Sequence, residues 1–250
     1  MKQSINMKIE FIPYDDGSKH KAVEGAENIL DLDLAKPRPV GQVLPNWFKH
    51  LIPFRDRPLT PGQQTAKACR PLYEYLHYGY MLPLWADYIF EKDKDGQNIV
   101  AISKTSYGEH PSGQTGHALE DTDKFQGLAV KFINPWIIKT PPGYSCLFTP
   151  PFYNFEERFT IAPAIVNTDL YEGQIHFPAF VNKYANVPFV LEIGYPLVHI
   201  IPFKRDNWES KFTNLKDLVK TKAFKSFRYI MQNKMFWAYK KFAGATNKFK

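Results

Sequence analysis

Four polar residues in the second half of the chain have the types and spacing of a small chemical site: Asn167, Thr168, Asp169 and Tyr171. An amide beside a carboxylate and a phenol can recognise a base or a sugar through hydrogen bonds. The same residue types also form tight turns, because Asn and Asp side chains bond to their own backbone. We therefore predict either a ligand-binding cluster, with Asp169 as the candidate catalytic residue, or a hairpin turn.

Strands and turns must position this cluster. Over residues 136–205, β-branched and aromatic residues alternate with Pro, Gly, Asn and Asp, a pattern typical of consecutive short strands. Three turns lead into strands in this stretch, at Pro141–Tyr144, at 167–173 and at Gly194–Pro196. We expect further strands at 7–14, 80–90 and 98–105, and one short helix that begins near Pro71 and stops before Gly79.

The order of these turns resembles the β-clip proteins of the trimeric dUTPase and dCTP deaminase superfamily. Those chains carry an Ile-Pro-x-Gly-Tyr strand, an Asp-bearing hairpin and a closing strand, and the counterparts here are Thr140–Phe148, Ala164–Ile175 and Gly194–Ile201. The resemblance implies a mainly β, β-clip body. It also implies a homo-oligomer, a ligand contact from Tyr144 as well as from Asn167, Asp169 and Tyr171, and Mg²⁺ if a nucleotide is bound.

The chain differs from that family at the catalytic and phosphate-binding positions. The first hairpin Asp is Asn167 here, and the phosphate-binding Pro-Arg-Ser segment is Pro150-Pro151-Phe152. An amide cannot act as a carboxylate base, and Pro and Phe offer no charged donor to a phosphate. An extra residue, Leu170, also displaces Tyr171 by one position along its strand. We expect the fold to be kept and the chemistry to be lost.

The whole chain also resembles an uncharacterised family of tailed phages and some bacteria. The shared motifs are Leu-Pro-x-Trp at Leu44–Trp47, Thr-Pro-Pro-Gly-Tyr-Ser at Thr140–Ser145 and Pro-Phe-Lys-Arg at Pro202–Arg205. No activity is implied by this second resemblance. It implies a phage protein, located in the host cytoplasm or in the virion.

The net charge of +7 is concentrated in the C-terminal segment. Residues 204–250 contain 13 Lys and Arg against three Asp and Glu, so that this segment carries +10 and the rest carries −3. Apolar residues recur in it at three- and four-residue steps, which predicts a basic amphipathic helical appendage. We expect a body over 1–205 and an appendage over 206–250. The appendage could pack on the body, bind nucleic acid or lie on an anionic surface.

Histidines offer a metal site as another interpretation. His110 and His117 lie in a polar segment with several acidic residues, and His176 and His199 lie in apolar strands. Imidazole and carboxylate groups are common metal ligands. The spacing of His110 and His117 fixes no coordination geometry, and solvated loop histidines are commoner than ligands.

The composition of the chain indicates its cellular location. No apolar leader and no window long enough to span a bilayer is present, so we expect a protein that is not secreted and has no transmembrane segment. Two cysteines, Cys69 and Cys146, are interpreted as buried thiols of a reducing cytoplasm.

Three functions remain open from the sequence. The first is a non-catalytic β-clip protein, either a phage-type structural component or a binding module, and we favour it because the aligned Asp and Arg-Ser are missing. The second is a divergent pyrimidine nucleotide hydrolase or deaminase that uses Asp169. The third is a metal-dependent enzyme that uses the loop and strand histidines.

Overall fold

A computed structural model describes residues 7–14, 33–53, 65–103, 122–221, 224–226 and 228–229. The chain divides into two compact units, one over 1–43 and 79–205 and the other over 44–78 and 206–250. The predicted division into a body over 1–205 and an appendage over 206–250 stays a prediction.

The first unit contains thirteen strands among the described residues, which confirms the mainly β prediction. They are β1 Glu10–Pro13, β2 Arg38–Pro39, β3 Tyr80–Pro83, β4 Tyr88–Lys92, β5 Ile99–Ser103, β6 Val130–Phe132, β7 Trp136–Lys139, β8 Tyr144–Thr149, β9 Phe159–Ile161, β10 Ala164–Val166, β11 Phe177–Val181, β12 Phe189–Leu191 and β13 Pro196–Lys204. The strand predicted over 80–90 is therefore two strands, β3 and β4.

Within the described residues, all strand pairs are antiparallel and form four sheets. The largest has the order β10-β8-β13-β3-β2, and the others are β6-β11-β9, β12-β4-β5 and β1-β7. Residues Leu197–Ile200 of β13 are all buried, as expected for the central strand of a sheet covered on both faces. β11 instead alternates, with Phe177, Ala179 and Val181 buried.

Aromatic residues form much of the core of this unit. Phe90 stacks on Phe189 with ring centroids 4.6 Å apart and on Phe159 at 5.9 Å. Phe132 lies beside Phe159 at 6.0 Å. These residues are spread over four strands of two different sheets, so their packing joins the sheets.

The second unit contains short helices among its described residues: α1 Asn46–His50, α2 Arg70–Tyr75 and α3 Leu215–Val219. α2 carries Pro71 in its first turn, as predicted, and ends at Tyr75. The single-helix prediction was wrong for the Leu-Pro-x-Trp motif, where α1 begins directly after Pro45 and buries Phe48. Cys69 is exposed, which corrects its interpretation as a buried thiol.

None of the helices in the described part of the chain is long and apolar enough to cross a membrane.

Candidate functional site

The predicted polar cluster lies at one end of the five-stranded sheet. Asn167 follows β10, and its carbonyl accepts the backbone N–H groups of Leu170 and Tyr171, each at 2.9 Å. β8 pairs with β13 in a register that places Tyr144 opposite Lys204. β10 pairs with the other edge of β8, with Val166 opposite Cys146. The two registers together bring the start of β8, the turn after β10 and Arg205 to the same place.

Arg205 binds Asp169 through both of its terminal nitrogens. Nη1 donates to Oδ1 at 2.7 Å, Nη2 donates to Oδ2, and the backbone N–H of Gly143 also donates to Oδ2 at 2.8 Å. The Asp169 side chain is only 4% exposed. The hydrogen bonds from Arg205 outweigh burial and lower the pKa of Asp169 to about 2. Both carboxylate oxygens are thus engaged within the chain.

Hydroxyl groups of neighbouring residues extend the hydrogen-bond network of the cluster. The Ser145 hydroxyl donates to Oδ1 of Asn167 at 2.8 Å and accepts from Nη1 of Arg205 at 2.9 Å. The Thr140 and Thr168 hydroxyl groups are 2.7 Å apart. Ser145 and Thr168 are both buried, so this bonding satisfies hydroxyl groups that water does not reach.

Cys146 lies beneath the same turn and is fully buried. Its Sγ accepts a hydrogen bond from the Thr168 hydroxyl at 3.5 Å. Burial raises the pKa of the Cys146 thiol to about 11. A thiol in this state is a poor nucleophile, since the thiolate is the reactive form.

Two of the four predicted ligand contacts, Asn167 and Asp169, bring their side chains to the cluster described above. Tyr144 joins it through its backbone carbonyl oxygen, which accepts from Nη1 of Arg205 at 3.0 Å. Tyr171 is 47% exposed and its hydroxyl donates to the carbonyl of Gln174 at 3.2 Å. Sequence reasoning gave no role to Arg205, although the Pro-Phe-Lys-Arg motif marks its position.

The histidines do not form a metal site in the described part of the chain. His110 and His117 lie outside the described residues. The backbone N–H of Asn134 donates to Nδ1 of His176 at 3.2 Å, and His199 is 1% exposed within β13. Among the described residues, no group of three or more His, Cys, Asp or Glu side chains is arranged to hold a metal ion.

A separate cavity of about 190 Å³ opens in the first unit beside the five-stranded sheet. Its walls are mostly apolar and come from two segments, residues 150–161 and 195–197. Three prolines and four aromatic side chains contribute to them: Pro150, Pro151, Pro196, Phe152, Phe155, Phe159 and Tyr195. Sequence reasoning considered the first segment only as one that lacks a phosphate ligand.

Glu156 is the charged residue of this cavity wall, and its charge is compensated locally. Arg158 donates to it through Nε at 2.8 Å and through Nη2 at 2.7 Å, and the Tyr195 hydroxyl donates to Oε2. Burial raises the pKa of Glu156, but the hydrogen bonds from Arg158 and Tyr195 outweigh it, so that the pKa lies below its ordinary value. The guanidinium of Arg158 also lies over the Phe189 ring, 4.5 Å from its centroid.

Comparisons with known proteins complete the description of the site. No protein-family model matches the chain, and no curated protein matches its sequence. Among solved structures, a mutant dUTPase of the Staphylococcus aureus phage phi11, described with a structural Mg(II) ion, matches at 10% identity with a TM-score of 0.31. A Staphylococcus bacteriophage 80alpha dUTPase mutant with dUpNHpp matches at 9% identity with a TM-score of 0.30. Both alignments cover 72% of this chain, and they cover 95% and 87% of the phage proteins.

Both of these solved structures are phage dUTPases. The mainly β architecture is established by the strands themselves, and the β-clip topology stays a prediction.

Proposed function

We propose that this chain is a non-catalytic binding module built on a β body. The observation that supports this best is the engagement of Asp169. A general base works best when its pKa lies near the operating pH, whereas the hydrogen bonds that Arg205 and Gly143 donate to both oxygens of Asp169 hold its pKa at about 2. The bidentate guanidinium pair is a strong arrangement that fixes the turn to the end of β13. We assign Asp169 a positioning role in the fold.

The cavity lined by residues 150–161 and 195–197 also disfavours a nucleotide. Cationic donors form the strongest hydrogen bonds to a phosphate, but the charged residue on the wall is the carboxylate of Glu156, which repels one. The nearby Arg158 is already bound to that carboxylate through two nitrogens. A nucleoside triphosphate would therefore bring its charge to a site with no uncompensated cation among the described lining residues.

Turnover and binding can be measured together on the purified chain. It would be incubated with dUTP, dCTP, dUMP and dCMP, each with and without Mg²⁺, while pyrophosphate, phosphate and ammonia are quantified. A parallel thermal-shift series reports binding, since a ligand held by the native state raises the melting temperature. We expect no product above the buffer control and no shift with any nucleotide.

The Asp169→Asn variant supplies the matched control. It keeps the size of the side chain and removes its charge. Nucleotide turnover by the wild-type chain that this variant loses would overturn the proposal and support the divergent hydrolase or deaminase. Turnover that depends on added metal and survives in the variant would support the metal-dependent enzyme instead.

A further inference from the structure

We propose that the cavity beside Glu156 binds one uncharged aromatic ring, presented as a side chain by a partner polypeptide. This inference rests on the proposed function, since it names the partner of the binding module. It is drawn from three features of the cavity: its size and walls, its charge and its rim.

The size of the cavity restricts the occupant to a single ring system. Its volume of about 190 Å³ is below the roughly 300–1,000 Å³ typical of pockets that enclose a drug-sized ligand. The walls are flat and apolar, and they are supplied by proline and aromatic rings: Pro150, Pro151, Pro196, Phe159 and Tyr195. Aromatic rings pack well on such surfaces through offset-stacked and edge-to-face contacts. A phenyl or indole ring therefore fits better than a nucleotide or a long aliphatic chain.

The charge of the cavity favours a neutral occupant. Glu156 is 16% exposed at its side chain and ionised, but Arg158 and Tyr195 occupy its oxygens with four hydrogen bonds, one of them from the Arg158 backbone. A ligand cation would compete with Arg158 for the carboxylate, and a ligand anion would face that carboxylate. An uncharged ring avoids both costs.

The rim of the cavity indicates that the ring belongs to a larger molecule. Phe152 and Phe155 line the cavity and are 70% and 63% exposed, so a molecule larger than the cavity would cover part of both rings. Phe155 has φ 53° and ψ 42°, a left-handed conformation that is an outlier for a bulky residue. Strained residues of this kind occur preferentially at binding sites. A polypeptide that inserts one aromatic anchor would cover both rings, as anchor side chains do at protein interfaces.

Ligand-observed NMR on the full chain tests this inference with defined probes. The probes are N-acetyl-tryptophanamide, N-acetyl-phenylalaninamide, free indole, uridine and N-acetyl-alaninamide. We expect the two capped aromatic amino acids to receive saturation from the protein and to bind more tightly than free indole, because their backbone and acetyl groups add contacts with the Phe152 and Phe155 rings at the rim. The alanine derivative should show no binding, and uridine should bind more weakly than either aromatic probe.

Variants of the rim separate this cavity from other apolar surfaces. Phe152→Ala and Phe155→Asn should each weaken binding of the capped tryptophan by roughly threefold to tenfold, the range expected for one lost aromatic contact. Tyr184→Ala is the matched control, because Tyr184 is 76% exposed and is not part of the cavity wall. It should leave binding unchanged. Melting temperatures of all three variants report whether each one folds.

Several results would overturn the inference. These are absence of binding by both capped aromatic probes, equal binding by the Phe152→Ala variant and the wild type, and tighter binding of uridine than of either probe. Tighter binding of free indole than of the capped probes would refute the inference that a polypeptide presents the ring. Nucleotide turnover would refute the proposed function, whether or not the aromatic probes bind. If no probe binds and no nucleotide is turned over, only the inference about this cavity is refuted.

Discussion

Replacing Gly79 by alanine should destabilise the first unit strongly, for a reason that the structure makes specific. Gly79 precedes β3 and has φ +84°, a conformation that costs other L-residues roughly 1–2 kcal/mol. A Cβ at this position would also overlap the backbone carbonyl oxygen of Ile200 on β13. The overlap is with backbone, so no side-chain rotation can relieve it.

The expected loss follows from adding the clash to the conformational cost. Ile200 is fully buried and pairs with Tyr80, one residue after Gly79, so the two strands would have to separate to make room. Overpacking of this kind typically costs a further 1–3 kcal/mol, which gives a total of roughly 2–5 kcal/mol. The typical stability of a domain is about 5–15 kcal/mol, so the variant should unfold at a much lower urea concentration.

Gly96→Ala is the control that isolates the clash. Gly96 lies in the turn between β4 and β5 with φ +68°, and a Cβ there would meet nothing within 4 Å. It should therefore lose only the conformational term of roughly 1–2 kcal/mol. Equilibrium urea unfolding, followed by tryptophan fluorescence, gives the free energy of unfolding of each variant, and both substitutions lie in the first unit. Equal losses in the two variants would refute the steric reasoning.

Two further predictions concern the polar cluster and the thiols. Because the pKa of Asp169 is lowered from 3.8 to about 2, its contribution to stability is present above about pH 4 and is lost as the pH falls through 2. Urea unfolding should therefore show a difference between wild type and Asp169→Asn that is largest near neutral pH and shrinks below pH 4, while a constant difference would refute the Arg205 ion pair. Thiol titration with a chromogenic disulfide should modify the exposed Cys69 rapidly and leave Cys146 unmodified until the chain is denatured; rapid reaction of the single remaining thiol of the native Cys69→Ser variant would contradict the burial of Cys146.

Local patterns in the sequence were sufficient for most of the strands. Alternating β-branched and aromatic residues predicted the strands between 136 and 205, and Pro71 predicted the start of α2. The prediction failed where a short segment lacks a strong pattern: α1 has five residues and one buried side chain, so its periodicity is too short to detect. The residues of β3 and β4 were merged because the apolar run continues through the bend between them.

The sequence by itself determined the mainly β architecture, the polar turn after β10 and the concentration of positive charge after Lys204. Each of these depends on residues that are neighbours in the chain. The tertiary structure decided which residues the turn meets, because Asp169 and Arg205 are 36 residues apart and the pairing of β8 with both β10 and β13 brings them together. It likewise decided the cavity, whose walls come from residues 150–161 and 195–197. No local pattern specifies that these two segments adjoin, since their contact depends on the packing of whole sheets.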